Sequence, residues 1–341
     1  MIAPLVFLIG TTVMRLADPL DDALDDLRIS GSVLVHEAYK PPWAVDVPTE
    51  SRLRRLLGVG PDMRVLPFHL TGRGGFDLSR EGETIGRVEA PDLLLLPGGS
   101  AHCLSNGDAA QSTALETILS DNNRIGAPKD EPGATELICG AFVLRAAPLN
   151  PLLGALPPAL KVPAGGAEAS PALAGAAAML AAERGRRSRN GFTAQRLLEV
   201  LCAEAIRSFQ HSQRTRDADW FRGLGDPKIS EVVRHVHADP GADWSVEAPA
   251  ARVALSPSRF AARFRETMGE SVMAYVGRWH LNVACRLLRE TESPLDRIAE
   301  RVGYESVPAF SRAFKAQLGR PPAQWRREKG TAFAKSRKLA E

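Results

Sequence analysis

Val302-Gly303-Tyr304-Glu305-Ser306-Val307-Pro308-Ala309-Phe310-Ser311-Arg312-Ala313-Phe314-Lys315 is the stretch that decides the architecture of this 341-residue chain. Gly303 stands where a helix end wants a left-handed residue. Ser306 is a good N-cap, and Pro308 falls in the first turn of the following helix, where its missing N–H does least harm. Phe310 and Phe314 lie four apart and make one apolar stripe, which leaves Ser311, Arg312 and Lys315 outward. Just upstream, Pro294 to Val302 reads as a short helix with Ile298, Ala299 and Val302 on one face. The pattern predicts helix, tight turn, helix.

The same pattern occurs a second time. Ser256, Phe260, Phe264, Gly269 and Tyr275 are answered by Ser306, Phe310, Phe314, Gly319 and Trp325, each 50 positions later. Such an echo marks a duplicated supersecondary unit. In the first copy Ser256 is the cap and Pro257 the first helical residue, with Phe260 and Phe264 inward and Arg259, Arg263 and Arg265 outward. Two short helices joined by a three-to-four-residue turn are the helix-turn-helix of major-groove readers. An all-helical bundle would explain the phenylalanines alone. It would not explain two basic outer faces built from short side chains, and these point to double-stranded DNA.

From about Asp226 to Arg327 the chain resembles the DNA-binding domain of AraC/XylS-type transcriptional regulators. The residues that carry the resemblance are Ile298-Ala299, Val302-Gly303-Tyr304, Ser306, Ala309 to Lys315, Gly319 with Pro321, and Trp325-Arg326. Arg278 to Leu288 resembles the long helix linking the two units. The resemblance implies two recognition helices in successive major grooves, about one helical turn (~34 Å) apart. It places Ser258, Ala261 and Ala262 toward the bases in the first unit, and Val307, Pro308, Ala309, Ser311 and Arg312 in the second. Arg312 could pair bidentately with guanine or hold a phosphate instead. Arg259, Arg263, Lys315 and Arg326 are expected on phosphates, which position the protein without reading sequence. The first unit departs from the family in having Pro249 in place of leucine and Ala254 in place of glycine. If Ser245 caps that support helix, Pro249 is its fourth residue, so a distorted or late-starting helix is expected.

Charge divides along the chain. Over 226–341 there are 20 Lys and Arg against 14 Asp and Glu, a net +6, whereas the rest has 23 against 26, a net −3. A basic module beside a mildly acidic one is the footprint of a DNA-binding domain with a non-DNA partner domain. The whole chain, at +3, is long enough for two domains, each with its own core.

Residues 14–165 have a different texture. Ser32 to Val35, Arg64 to Leu70, Asp92 to Leu96 and Glu136 to Leu144 are short apolar runs between Gly and Pro turns, the pattern of an antiparallel sandwich or barrel. Pro97-x-Gly99-x-x-His102-x-x-x-Asn106 resembles the second motif of cupin barrels. The surrounding sequence, with Cys139-Gly140-Ala141-Phe142 and Asn150-Pro-Leu-Leu, resembles the cupin-type sensor domain of one AraC-type subgroup. Metal-binding cupins carry a paired His-x-His and a carboxylate, and here His69 stands alone on its strand. No metal and no other cofactor is therefore expected. His69 and His102 are candidates for lining a small-molecule pocket, and the competing reading is a barrel kept only as a scaffold.

The predicted fold class is α+β: an N-terminal cupin-like antiparallel β-barrel (14–165), a linker and helical pair (166–222), and an all-α domain with two helix-turn-helix units (223–330). Lys161 to Pro171 has the composition of a flexible linker. Pro171 to Glu183 and Thr193 to Gln210 are predicted helices around the Arg184 to Gly191 segment, and Leu197, Val200, Leu201, Glu204, Ala205 and Phe209 give the second a mostly apolar face. That pair could carry homodimer contacts or pack on its own barrel. Residues 1–13 are an apolar extension too short to span a membrane and without a signal-peptide pattern, Met14 being an alternative start; 331–341 form a basic tail. Cys103, Cys139, Cys202 and Cys285 have neither metal nor redox spacing, which fits the cytoplasm. The function expected is transcription regulation without catalysis, under control of a small-molecule effector or partner, with RNA polymerase as partner if the protein activates. A non-DNA-binding interaction protein and a cupin-type metalloenzyme are the alternatives.

Overall fold

The computed structural model describes residues 18–60, 63–108, 111–120, 131–145, 147–183, 191–212, 219–242 and 244–328. It opens with α1 (Pro19–Leu27), which starts where Asp18 accepts a hydrogen bond from the Leu20 N–H and proline occupies the first turn. Leu20, Ala23, Leu24 and Leu27 are its buried stripe.

Two five-stranded sheets follow. One has the order β1 (Ser30–Tyr39), β9 (Thr135–Arg145), β3 (Met63–Arg73), β6 (Asp92–Leu95), β10 (Leu160–Pro163). The other runs β5 (Glu83–Glu89), β4 (Gly75–Arg80), β7 (His102–Asn106), β2 (Trp43–Val47), β8 (Thr113–Ala114). All pairings are antiparallel except the short β2–β8 ladder. The runs expected at Ser32, Arg64, Asp92 and Glu136 are β1, β3, β6 and β9, and all four sit side by side in the first sheet. Their register is set by apolar residues facing inward, as at Phe68, which pairs with Gly140 and stacks on Phe142 at 4.6 Å between ring centroids. A Cβ at Gly140 would lie 2.3 Å from the Ser32 carbonyl oxygen and 2.6 Å from the Phe68 ring, so this crossing needs glycine.

The segment expected to be a flexible linker, Lys161 to Pro171, begins instead as a strand. Leu160 to Pro163 forms β10 and pairs with β6 from Leu160↔Leu95 to Pro163↔Asp92. Composition counted its glycines and prolines, but Leu160 and Val162 alternate inward and seal the sheet edge. Short helices α2 (Glu50–Leu56), α3 (Leu115–Ser120) and α4 (Pro151–Ala155) cover the sheets. Next come α5 (Pro171–Ala182) and α6 (Phe192–Gln210), which pack on each other, α6 also lying on β1 and β10. Val200 leaves the expected apolar face and is 45% exposed, because the buried stripe runs through Ala194, Leu197, Leu198, Leu201, Cys202, Ala205, Ile206 and Phe209. The arginine-rich segment 184–190 lies outside the described residues, as do 1–17 and 329–341.

Among the described residues the C-terminal part is all-helical: α7 (Asp219–Gly225), α8 (Pro227–Ala238), α9 (Glu247–Arg252), α10 (Pro257–Met268), α11 (Val272–Glu290), α12 (Leu295–Arg301) and α13 (Val307–Leu318), then a helical stretch over 322–328.

Candidate nucleic-acid interface

Two helix pairs, α9–α10 and α12–α13, flank the 19-residue α11. Each rests on the same aromatic core. In the first, Phe260 meets Phe264 at 5.8 Å and Phe264 meets Tyr275 at 5.9 Å; in the second, Phe310 meets Phe314 at 5.6 Å and Phe314 meets Trp325 at 5.9 Å. Their edge-on geometry is the favoured one for aromatic pairs. An ion pair accompanies each core with its sign reversed: Glu270–Arg278 in the first unit, Arg320–Glu328 in the second. The arginine lies over the core aromatic in both, Arg278 at 5.3 Å from Tyr275 and Arg320 at 5.0 Å from Trp325.

The supports differ by one residue. From Ser256 onward the spacing between copies is 50, but the ends of α9 and α12, Arg252 and Arg301, are 49 apart, so the turn before the cap has three residues in the first unit and four in the second. Ala254, at φ +52°, and Gly303, at φ +75°, hold the equivalent left-handed position. The helix starting at Glu247, two residues after Ser245, is the late start expected from Pro249. Pro249 thereby becomes its third residue and is buried. Ser256 and Ser306 cap α10 and α13 by accepting from the N–H of Arg259 and Ala309, both at 3.4 Å.

These caps aim the two recognition helices outward. On α10, Ser258 and Ala262 are exposed and Ala261 half-buried; on α13, Pro308 and Arg312 are exposed, with Val307, Ala309 and Ser311 half-buried. Arg312, Arg259 and Lys315 are exposed and make no ion pair among the described residues. Arg263 donates to Asp226 through Nε at 2.7 Å, with Nη2 at 2.6 Å, while Asp226 also caps α8. Arg326 donates to the Ser293 carbonyl at 2.7 Å. Both are thus held within the domain, whereas Arg259, Lys315 and Arg312 offer unspent charge.

A seam to the cupin part was missing from the sequence reading. His237 stacks on Trp279, with centroids 3.5 Å apart. Its Nδ1 faces Asp22 at 3.3 Å and its Nε2 faces the Tyr275 hydroxyl at 2.8 Å, which also accepts from Trp220 Nε1 at 3.2 Å. The proton order follows: Trp220 donates to Tyr275, Tyr275 to His237, and His237 to Asp22. Burial lowers the His237 pKa, keeping the ring neutral in this chain, although Asp22 opposes the shift. Four residues along α1, the fully buried Asp26 accepts from Asn282 of α11 at 2.9 Å and stands 3.8 Å from Arg289 Nη2. Arg145 Nη1 reaches Glu290 at 2.6 Å, and Arg278 donates to the Leu149 carbonyl at 3.3 Å. The available signal was Asp21-Asp22 and Asp25-Asp26 repeating one turn apart, and Asn282 within the apolar run of α11.

Within the cupin part, His69 and His102 face each other at 2.9 Å between their Nε2 atoms. Burial holds both rings neutral, with His102 lowered to about 4. Only His69 lines the apolar chamber formed by Val35, Val45, Leu104 and Leu137; His102 lines an open cleft instead. Among the described residues no three His, Cys, Asp or Glu side chains group to hold a metal ion, and no helix is long and apolar enough to cross a membrane.

A family model described as Cupin matches residues 18–211, and one described as Helix-turn-helix domain matches residues 250–328. A "Putative AraC-like transcription regulator" from Streptomyces antibioticus is 31% identical over 316 residues, covering 91% of this chain and 98% of the relative. "HTH-type transcriptional regulator AlkR" from Acinetobacter baylyi is 25% identical over 320 residues, covering 91% and 99%. Among solved structures, the DNA-binding domain of AdpA in complex with a target DNA is 32% identical and covers 30% of this chain and 92% of that one, at a TM-score of 0.29. With a cupin domain, a helix-turn-helix domain and a relative matched nearly end to end, this chain belongs to the AraC-type DNA-binding transcription regulators.

Proposed function

We propose that α10 and α13 enter successive major grooves on one face of a promoter, and that base reading rests mainly on α13. The observation that carries this reading is the pairing of two capped, outward helices on duplicate aromatic cores, of which only α13 presents an exposed arginine, Arg312, among its base-facing candidates. Serine and alanine on α10 suit thymine methyls and groove shape, which discriminate weakly. Arg259 and Lys315 supply phosphate contacts. Binding to promoter fragments at stated salt tests the reading: Arg312→Ala relaxes preference at one base pair by about 1–3 kcal/mol, whereas Lys315→Ala weakens all sequences alike and flattens the salt dependence. No DNA affinity at low salt would favour a pure interaction protein instead.

The cupin part holds the controlling signal in this proposal, a small-molecule effector in its chamber, and acts without catalysis. The seam of Asp22, His237, Asp26 and Asn282 is the route by which its state reaches α11. Exposed Phe192 and Val200 on α6 support a homodimer, and RNA polymerase is a partner where the protein activates. Four free cysteines suit the cytoplasm.

A further inference from the structure

The chamber between the two sheets is closed to a cavity of about 20 Å³, enough for one water molecule. Its walls are mostly aliphatic, with His69, Tyr39 and Cys139 the side chains on them that carry polar atoms, and His69 is 2% exposed. The proton positions on this ring can be deduced. His102 Nδ1 lies 3.0 Å from the Ser100 carbonyl oxygen, which can only accept, so His102 carries its proton on Nδ1. A neutral His102 then presents a lone pair at Nε2, and His69 must donate its Nε2 proton across the 2.9 Å contact. His69 Nδ1 is left as an acceptor, and it is buried with no hydrogen-bond partner. An orphaned buried acceptor on the wall of an apolar chamber is a costly arrangement that a donor would relieve.

We propose that this chamber takes a small apolar molecule carrying one hydrogen-bond donor, the hydroxyl of a compact alcohol, which donates to His69 Nδ1. The inference rests on the reading of the cupin part as an effector domain and specifies the chemistry of that effector. The walls offer no charge to a carboxylate or an amine. At His69 Nδ1 an acceptor-only ligand meets lone pair with lone pair, and a plain hydrocarbon leaves that acceptor unsatisfied. Admission of such a molecule requires the mostly apolar walls to part.

Titration of the full-length protein with cyclohexanol, cyclohexanone and cyclohexane separates these cases by calorimetry, since the three share a shape and differ in donor, acceptor and neither. Cyclohexanol is expected to bind about tenfold tighter than the other two, and His69→Phe to abolish that preference. Equal binding of all three overturns the donor inference and leaves the effector chamber standing. Binding of none, with the chamber holding only an ordered water, overturns both. Nitrogen-resolved NMR of the wild-type imidazoles gives a check that needs no variant: a proton on His69 Nδ1 overturns the proposal, and a proton on Nε2 upholds its basis.

Discussion

Ala254 adopts φ +52° at the turn of the first unit, where the second unit has Gly303 at φ +75°. An L-residue with a Cβ carries about 1 kcal/mol of strain in this region. Ala254→Gly is therefore expected to raise the stability of the protein by up to roughly 0.5 kcal/mol, the greater freedom of glycine when unfolded taking back the rest of the gain. A lower urea midpoint in the variant would show that the strain is absent. Histidines supply a second residue-scale effect. Burial brings the pKa of His102 and of His280 down to about 4. Above pH 6.5 these rings are neutral folded and unfolded, so they do not bias folding. As pH falls from 6.5 toward 4 the unfolded chain takes up protons that the folded chain refuses, and stability is lost. At pH 5 the loss is on the order of 2 kcal/mol for each ring. Urea midpoints at pH 7 and pH 5 measure it, and equal midpoints would contradict the burial of both rings.

At the scale of elements, α9 shows how a local rule is met by moving a helix end. Pro249 in the fourth position would cost a backbone bond and clash with the preceding turn. By starting at Glu247, the helix places Pro249 third, where its N–H would have been an orphan in any case. The cost of roughly 3 kcal/mol that a proline carries in a helix interior therefore does not apply. Pro249→Leu should stabilise by less than about 1 kcal/mol, from added burial beside Ala250 and Val253; thermal denaturation showing a gain near 3 kcal/mol would mean that the late start is itself strained. The recognition helices were legible because their signals are local: Ser256 and Ser306 cap, Phe260 and Phe310 face inward, Gly269 and Gly319 terminate. β10 was not, since a four-residue strand exists only by pairing with β6, and composition around Gly165 and Gly166 masks it. The one-residue difference between the turns was hidden for a similar reason. Spacing fixed on serine, phenylalanine and glycine could not register a shift confined to α9.

The whole molecule is held together by contacts that no local rule supplies. Asp26 sits in the last turn of α1, where the helix dipole disfavours a carboxylate. Its place makes sense only across the seam, with Asn282 at 2.9 Å, Asn150 at 3.4 Å and the Arg289 guanidinium at 3.8 Å, all enclosed between the cupin part and α11. Burial lowers the Arg289 pKa, and the Asp26 carboxylate opposes that shift. Removing one member of such a set leaves the other charged and dry, at about 3–5 kcal/mol, whereas replacing both by apolar groups can be nearly neutral. Asp26→Leu should therefore destabilise the full chain strongly, and adding Arg289→Met should restore much of the loss. The same pair decides whether the seam carries information. In the single variant, hydrogen exchange in α1 and α11 should quicken together, and any effect of an effector on DNA affinity should shrink. Destabilisation that adds across the two substitutions, or exchange that quickens in α1 alone, would mean that the carboxylate and the guanidinium are not coupled and that the cupin part does not grip the helix joining the two DNA readers.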